Sequence, residues 1–423
     1  LTYETDKEVE RFILTGIFAS EATAENLLDE LELLAETSGA EVVGRLYQNR
    51  EAPHPAYYLG KGKLEELKEL AVSLDATGII CDDELSPSQT RRMAEILDIK
   101  ILDRTMVILD IFAGRAKSAE GKTQVELAQY KYRLSRLSGL GKSLSRLGGG
   151  IGTRGPGEKK LETDRRHIRN RIAELNRELT EIRETRSVMR AKREKNNVPV
   201  VSLAGYTNAG KSTLLNALTD ADVLAEDKLF ATLDTTTRKL ELPNGREILF
   251  TDTVGFIQKL PTQLISAFRA TLEELTHADL LVHVVDASNP DRERQMDVVY
   301  KTLSDLKAIH IPVITIFNKM DVLTDLPLPS DETAKCTVNI SAKTGDGFDN
   351  FLSAIETELE RAEAEADEIH REIEAIVPYS EGSLLNLVHS LGIVRREEHT
   401  ENGTLVKVYA SGELLNKLKS YEL

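Results

Sequence analysis

The sequence predicts an α/β protein built on a doubly wound sheet, and three observations carry that reading. From Val198 onward, apolar runs rich in β-branched residues (VPVVSLAG, EILFTDT, LLVHVVDAS, PVITIFNK and KCTVNISA) alternate with longer amphipathic stretches. Buried parallel strands joined by helices read this way. A glycine-rich turn, GYTNAGKST, falls between the first of those strands and the helix-like STLLNAL. The 423 residues, 41% apolar and 29% charged, are those of a globular chain long enough for several domains.

Residues 1–113 carry strand patterns at 11–18 (RFILTGIF), 41–48 (EVVGRLYQ) and 77–83 (TGIICDD). Helical patterns ENLLDELELL, GKLEELKELA and QTRRMAEIL lie between or after them, so a small separate α/β domain is expected here. Residues 114–196 read differently. Leu161, Ile168, Leu175, Ile182 and Met189 recur every seven residues, with Ile172 and Leu179 on the alternate seam positions. Leu127, Tyr130, Leu134, Leu137 and Leu144 form a matching stripe upstream, and the glycine-rich LGGGIGTRGPGEKK at 147–160 joins the two. The pattern predicts a coiled-coil-like helical hairpin with a glycine-rich tip. Between 115 and 195 there are 22 Lys plus Arg against 10 Asp plus Glu, a net of +12, which leaves −28 on the rest of a chain whose total is −16. Residues 197–365 hold the doubly wound sheet. Residues 366–423 follow an acidic helix and read as strand, helix, strand, strand, a small α+β domain with Asn402 and Gly403 at a hairpin turn.

Several function classes are set aside. The opening LTYETDKEVE lacks a basic start followed by an apolar run, and no stretch approaches the roughly 20 apolar residues of a membrane helix, so a cytoplasmic protein is expected. Cys81 and Cys336 stand alone, without a disulfide framework or zinc spacing, and are expected to be buried reduced thiols. His167, His283, His310 and His370 have no metal spacing. Gly60, Lys61, Gly62 and Lys63 have the composition of a phosphate loop but not its spacing, and read as a helix entry.

The motifs carry the chemistry. GYTNAGKS at 205–212 fits GxxxxGK[ST], placed after a strand and before a helix. Gly205 and Gly210 let the backbone through Tyr206, Thr207, Asn208 and Ala209 curl so that its amides face a phosphate. Lys211 offers a charge to the β- and γ-phosphates, Ser212 a ligand to Mg²⁺, and Thr213 closes the stretch. In DTVG, Asp252 ends a strand where it can hold Mg²⁺ through water, and Thr253 and Val254 lead to Gly255, whose amide can meet the γ-phosphate. In NKMD, Asn318, Lys319 and Met320 precede Asp321. That carboxylate can accept from guanine N1 and N2, but would face a lone pair on adenine N1. Ser341, Ala342 and Lys343 can support the base edge from a second loop. Between the first two motifs lies LFATLDTTTR, where Thr232, Thr235, Thr236 and Thr237 are candidates for the hydroxyl that completes the Mg²⁺ shell.

Together, GYTNAGKST, LFATLDTTTR, DTVGF, NKMD and SAK, with the upstream YYLGKGKLEEL and LGGGIGTRGPGEKKLETDRR, resemble the HflX family of ribosome-associated GTPases over nearly the whole chain. The resemblance implies a P-loop GTPase fold and picks Thr232 as the Mg²⁺ ligand beside Ser212, with Phe230, Ala231, Leu233 and Asp234 around the nucleotide. It assigns catalysis to Lys211, Thr232 and Gly255 and allows K⁺ beside Asn208. Phe256 stands where many related GTPases carry a glutamine that orients water, so slow unaided hydrolysis is expected. The resemblance further implies GTP and GDP as ligands and binding to the large ribosomal subunit, with splitting of stalled or hibernating ribosomes under heat stress. Arg146, Arg154, Lys159 and Lys160 near the hairpin tip are the candidates for rRNA phosphates, and a monomer is expected. Two alternatives are a GTP-regulated assembly or quality-control factor on the large subunit, and an ATP-dependent rRNA remodelling enzyme using the N-terminal region.

Overall fold

Strand β1 (Arg11–Phe18) is buried along almost its whole length, so its alternating side chains must be covered on both faces. Phe12 and Leu14 pack with helices α1 (Glu21–Thr37) and α4 (Arg104–Arg115). Ile13 and Ile17 pack with α2 (Lys61–Ser73) and α3 (Pro87–Leu97). With β2 (Glu41–Asn49), β3 (Gly78–Cys81) and β4 (Lys100–Asp103) it forms a four-stranded parallel sheet in the order β2-β1-β3-β4. The helices begin on side-chain caps. Ser20 accepts from the Thr23 amide, Ser86 and Gln89 form a reciprocal capping box behind Pro87, and Asp103 accepts from the Met106 amide at 3.0 Å. The structure, a computed structural model, describes residues 9–144, 156–195, 198–219, 229–230, 233–259, 272–323, 330–369, 371–400, 402–410 and 412–423.

Two antiparallel helices follow, α5 (Ala119–Leu144) and α6 (Pro156–Lys195). Leu127, Leu175 and Leu179 are buried between them, with Tyr130, Ile172 and Ile182 alongside, the seam that the seven-residue repeat predicts. Leu144, Leu161 and Met189 of that repeat have side chains outside the described residues. Helix α5 is also docked on the first sheet, where Tyr132 and Arg136 both donate to Asp103 at the start of α4.

The third part is a six-stranded sheet in the order β10-β9-β8-β5-β7-β6. Its strands are β5 (Val200–Gly205), β6 (Thr236–Glu241), β7 (Glu247–Asp252), β8 (Leu280–Asp286), β9 (Val313–Asn318) and β10 (Cys336–Asn339). All pairings are parallel except β6 with β7. Helix α7 (Lys211–Thr219) follows β5 and α8 (Arg292–Asp305) follows β8. The chain winds from β5 to one edge and then builds outward from its other side. That reversal puts a ligand crevice at the carboxyl end of β5.

Contacts gather Leu1–Phe348 into one compact unit and Asp349–Leu423 into a second. Within the first, one hydrophobic core runs from Phe12, Ile108 and Phe112 through Val125 and Ala128 of α5 to Phe230, Val254 and Phe256. The small N-terminal sheet therefore shares its core with the hairpin base and the larger sheet. The second unit contains most of helix α9 (Phe348–Ile369), within which the expected boundary at 365 falls. It continues with β11 (Arg371–Val377), α10 (Gly382–Leu391), β12 (Ile393–Thr400), β13 (Gly403–Ala410) and α11 (Gly412–Leu418). Its antiparallel sheet runs β11-β13-β12, and Ile373, Ala375, Val406 and Val408 face Leu384, Val388 and Leu414. Thr400 pairs with Gly403, which therefore begins β13 immediately after the turn at Asn402. Cys81 is buried, whereas Cys336 is only partly so, contrary to the expectation of two buried thiols.

The most demanding polar site in the first unit is Arg104. Its guanidinium is 2% exposed and donates to the fully buried Asp82 at 2.7 Å, to Glu30, and to the Gln258 carbonyl at 3.2 Å. Burial opposes the charge, but the carboxylates of Glu30 and Asp82 outweigh it and hold the Arg104 pKa above its usual value. Arg104→Ala removes the shared cation of two buried carboxylates, leaving Asp82 with Lys259 and Glu30 with the Tyr206 hydroxyl, and is expected to cost about 3 kcal/mol. Thermal denaturation should show a large loss for Arg104→Ala and a much smaller one for Arg45→Ala, whose ion pair with Asp29 is solvent-facing.

Candidate nucleotide-binding site

The loop 205–212 curls between β5 and α7 at the crevice. Its glycines are there because other chain segments pass too close for a side chain. A Cβ on Gly205 would stand 2.4 Å from the Val284 carbonyl oxygen. On Gly210, which has a φ of +97°, it would stand 2.2 Å from Nδ2 of Asn318. Asn208 is left-handed at φ +61°, a conformation that asparagine tolerates well. Of the amides expected to face a phosphate, that of Thr207 is spent on the Phe256 carbonyl and that of Ala209 on the Tyr206 carbonyl, so the anion is stabilised chiefly at the α7 N-terminus that the loop leads into.

Lys211 is buried, and its ammonium donates to the carbonyls of Gly205 at 3.0 Å and Tyr206 at 2.8 Å. Burial drives its pKa down to about 8, with Asp252 opposing. Ser212 donates to Asp252 Oδ2 at 2.7 Å, which brings a hydroxyl and a fully buried carboxylate to one point beside the loop. Hard oxygen donors at that spacing, next to phosphate-facing amides, suit Mg²⁺. Thr253 is buried and donates to the Leu203 carbonyl at 2.6 Å, which fixes the end of β7 against β5. Val254 is in the core. A Cβ on Gly255 would meet Thr207 Cα at 2.8 Å and Lys211 Nζ at 3.1 Å, so the Gly255 backbone lies directly over the loop. Phe256 extends the contact as a strand-like bridge, its amide donating to the Gly205 carbonyl and its carbonyl accepting from the Thr207 amide. Its ring is buried.

On the base side, Asn318 is a brace. It donates through Nδ2 to the Ala209 carbonyl at 2.9 Å and accepts through Oδ1 from the Ala342 amide at 2.8 Å. One side chain therefore sets the distance between the phosphate loop and the SAK loop. Asp321 accepts from the Ser341 hydroxyl at 2.7 Å, which orients its carboxylate beside that loop. Lys319 is left-handed at φ +63° and its ammonium reaches Asp286 at 2.8 Å. Met320 opens a short 3-10 turn, while Lys343 and Thr213 are exposed.

Thr232 and Ala231 lie outside the described residues. Of the alternatives to Thr232, Thr236 and Thr237 belong to β6, with Thr237 hydrogen-bonded to Thr251 at 3.0 Å. Four predicted nucleotide-site residues have side chains engaged elsewhere. Phe230 meets Phe112 of α4 edge-on, with ring centroids 4.7 Å apart, and Leu233 is buried in the same core. Asp234 binds the start of α5. The Tyr206 hydroxyl donates to Glu30 and accepts from the Gln258 amide at 2.8 Å, so only its backbone serves the loop. Arg146 and Arg154 lie outside the described residues, and Lys159 and Lys160 fall in the first turns of α6.

Sequence reasoning missed the residues that grip the segment after DTVG. Lys259 bonds Asp82 at 2.5 Å and Asp83 at 2.7 Å, where burial opposes its charge and the two carboxylates hold its pKa above the usual lysine value. The left-handed φ of +50° at Lys259 was the kind of feature no residue pattern announces.

A phosphate loop with an adjoining hydroxyl–carboxylate pair, a facing DTVG amide and an NKxD carboxylate beside a second base loop define a guanine-nucleotide P-loop protein. Comparison with known proteins narrows this. The chain matches the family "GTP-binding GTPase N-terminal" over 25–113, "GTP-binding GTPase Middle Region" over 115–193 and "50S ribosome-binding GTPase" over 200–319. It is 53% identical over 414 residues to the GTPase HflX of Lacrimispora saccharolytica, covering 97% of this chain and 96% of that protein. It is 40% identical over 399 residues to the GTPase HflX of Escherichia coli K12, covering 94% and 92%. A solved GTP-binding protein from Sulfolobus solfataricus in complex with GDP is similar at 22% identity and a TM-score of 0.44, over 84% of this chain and 99% of that one. The chain belongs to the HflX family of GTPases.

Phosphates favour the ammonium form of Lys211, so nucleotide binding raises a pKa that burial has set near 8. Affinity is fully present below that value and falls as pH rises through it. A loss of about tenfold between pH 7 and pH 9 is expected, with a proton taken up per nucleotide at pH 9. Calorimetry in buffers of different ionisation heat measures both, and a flat profile would contradict the assignment.

Proposed function

We propose that this GTPase binds the large ribosomal subunit through its basic hairpin and uses GTP to split stalled or hibernating ribosomes, the setting being stress such as heat. The observation that carries the reading is a net +12 on 115–195 in a chain of net −16, on a hairpin whose base shares a core with the nucleotide site. Phosphate binding requires positive surface, and the net positive charge found over 115–195 supplies it on one arm. A relative family described as 50S ribosome-binding GTPase points to the same partner.

In the proposed reaction Lys211 and the loop amides hold the β- and γ-phosphates, and Gly255 presents its amide to the γ-phosphate. Ser212 and Thr232, with Asp252 through water, would hold Mg²⁺, which when bound would supply neutralising charge to the phosphates. Asp321 selects guanine, with Asn318 keeping base and phosphate loops in register. The Phe256 ring is buried and offers no group to orient water, so unaided turnover is slow and the ribosomal subunit accelerates it. Asn208 is a K⁺ ligand only if single-turnover rates differ between K⁺ and Na⁺ buffers; equal rates leave it the turn residue that its φ makes it.

The ATP-dependent alternative is weakened by the N-terminal sheet itself. At the carboxyl ends of β3 and β4, where a parallel sheet binds ligands, stand Asp82, Asp83 and Asp103, already matched by Arg104, Lys259 and Arg136. A triphosphate would meet carboxylates there.

GTP turnover should rise at least about tenfold on adding purified large subunits, and light scattering of intact ribosomes should fall on adding the protein with a non-hydrolysable GTP analogue. Binding without a fall in scattering would favour the assembly or quality-control reading. Reversing charge at Arg154, Lys159 and Lys160 should weaken subunit binding and reduce the salt slope by about two to three units, since each lost phosphate contact removes roughly 0.7–0.9 of slope. GTP affinity should stay unchanged. Asp321→Asn should lose about 100-fold in GTP affinity relative to the unaltered chain, measured by calorimetry.

A further inference from the structure

Helix α5, the first helix of the hairpin, starts with an incomplete cap of its own. Ser118 is the N-cap, accepting from the Gly121 amide at 2.8 Å. In a reciprocal capping box the third helical residue is Glu or Gln, and its side chain returns to the N-cap amide. The third residue here is Gly121, which has no side chain to return. The carboxylate that fills that place comes from 113 residues further along the chain. Asp234 Oδ2 accepts from the Ser118 amide at 2.8 Å and the Lys117 amide at 2.9 Å, and its other oxygen accepts from the Ser118 hydroxyl. Gly121 is required by this arrangement, because a Cβ there would lie 2.2 Å from Asp234 Oδ1.

Asp234 is two residues beyond Thr232, in the segment expected to sense the γ-phosphate. Its neighbours Phe230 and Leu233 are buried against α4 and the hairpin base, and Phe230 holds a left-handed φ of +54° there. A second tie lies close by. Arg186 of α6 bonds both Glu120, in the first turn of α5, and Glu274 of the nucleotide-binding part.

We propose that Asp234 completes the α5 capping box in trans, making a rigid latch through which the nucleotide-sensing segment moves the hairpin. This rests on reading the segment around Thr232 as that sensor, and it adds the mechanical link from sensor to arm. Asp234, Ser118 and Gly121 are positioning residues, since none of their side chains needs to touch the nucleotide. A displacement of the segment on exchange of GDP for GTP is passed to the first turn of α5 instead of being absorbed in a loop. The coupling is reciprocal, so a force on the hairpin reaches the segment by the same path.

Gly121→Glu tests this directly, because it supplies the missing carboxylate in cis and displaces Asp234 while leaving α5 capped. Ser118→Ala is the second variant, removing the hydroxyl's bonds to Asp234 and to the Gly121 amide without adding bulk. In a full-length chain carrying Cys336→Ser, spin labels at Ala173→Cys on α6 and Asp297→Cys on α8 report the hairpin position by distance measurement. In the parent the distance should differ between GDP and a non-hydrolysable GTP analogue. Both variants should lose most of that difference while binding a fluorescently labelled GDP within about threefold of the parent. Hydrogen exchange at the Lys117 and Ser118 amides should be slow in the parent with either nucleotide, and about tenfold faster in Ser118→Ala. A full nucleotide-dependent distance change in Gly121→Glu, no such change in the parent, or unaltered exchange in Ser118→Ala would each overturn the latch. Failure of the parent to bind guanine nucleotide would instead overturn the sensor reading, a result seen before any label is read.

Discussion

Backbone amides can converge on a polyanion only where neighbouring chain segments come close enough to shape the loop and no side chain stands in the way. That constraint fixes Gly205 against the Val284 carbonyl and Gly210 against Asn318. The second contact has the wider consequence. Because Asn318 sits in the space a Cβ at 210 would take, its amide can bond the Ala209 carbonyl on one side and the Ala342 amide on the other. One side chain thereby ties the phosphate loop, NKMD and SAK to one another. Loops tied in this way have less conformational freedom to lose when a nucleotide is held.

The larger sheet and its loops were legible in the sequence because each strand there is a continuous apolar run and each motif closes one. The hairpin seam was legible because coiled-coil packing imposes a seven-residue period, and Leu175 and Leu179 lie where that period puts them. Two elements of the N-terminal sheet were not anticipated, β4 and α4. KILD is too short to show alternation, and RTMVILDIFAGR buries Val107, Ile108, Leu109, Ile111 and Phe112 over a broad arc and exposes Asp110, Ala113 and Gly114. An exposed face with a single charge gives only a weak amphipathic period. Nor could the sequence show that Phe230, Leu233 and Asp234 turn towards α4 and α5. Their motif context suggested the nucleotide, while their partners lie more than a hundred residues away.

The polar contacts at the mouth of the smaller sheet follow one pattern: its carboxylates receive cations from its own helix α4, from the hairpin and from the segment after DTVG. Asp82 takes Arg104 and Lys259, Asp83 takes Lys259, and Asp103 takes Arg136 of the hairpin. Glu30 is reached by Arg104 and by the Tyr206 hydroxyl of the phosphate loop. Buried charges tolerate little misalignment, because losing a partner leaves the desolvation cost uncompensated. The sheet's mouth thus serves as a socket that registers the loop, the segment after DTVG and the hairpin base with one another. A socket of alternating charge specifies one docking arrangement more sharply than an apolar face would.

Charge is also segregated on a larger scale, and length is what makes the segregation useful. With −28 outside residues 115–195, the body of the protein repels a phosphate backbone, and the repulsion extends over a Debye length of about 8 Å at physiological salt. Helix α6 runs for 40 residues, about 60 Å at 1.5 Å per residue. Its C-terminal turns are spent on the base, where Arg186 is tied to Glu120 and Glu274, and α5 beside it is docked on the first sheet as far as Arg136. On the proposed reading, that docked stretch fixes where the arm leaves its sheet, the net positive charge of the arm meets rRNA, and the nucleotide alters how the helix pair is aimed.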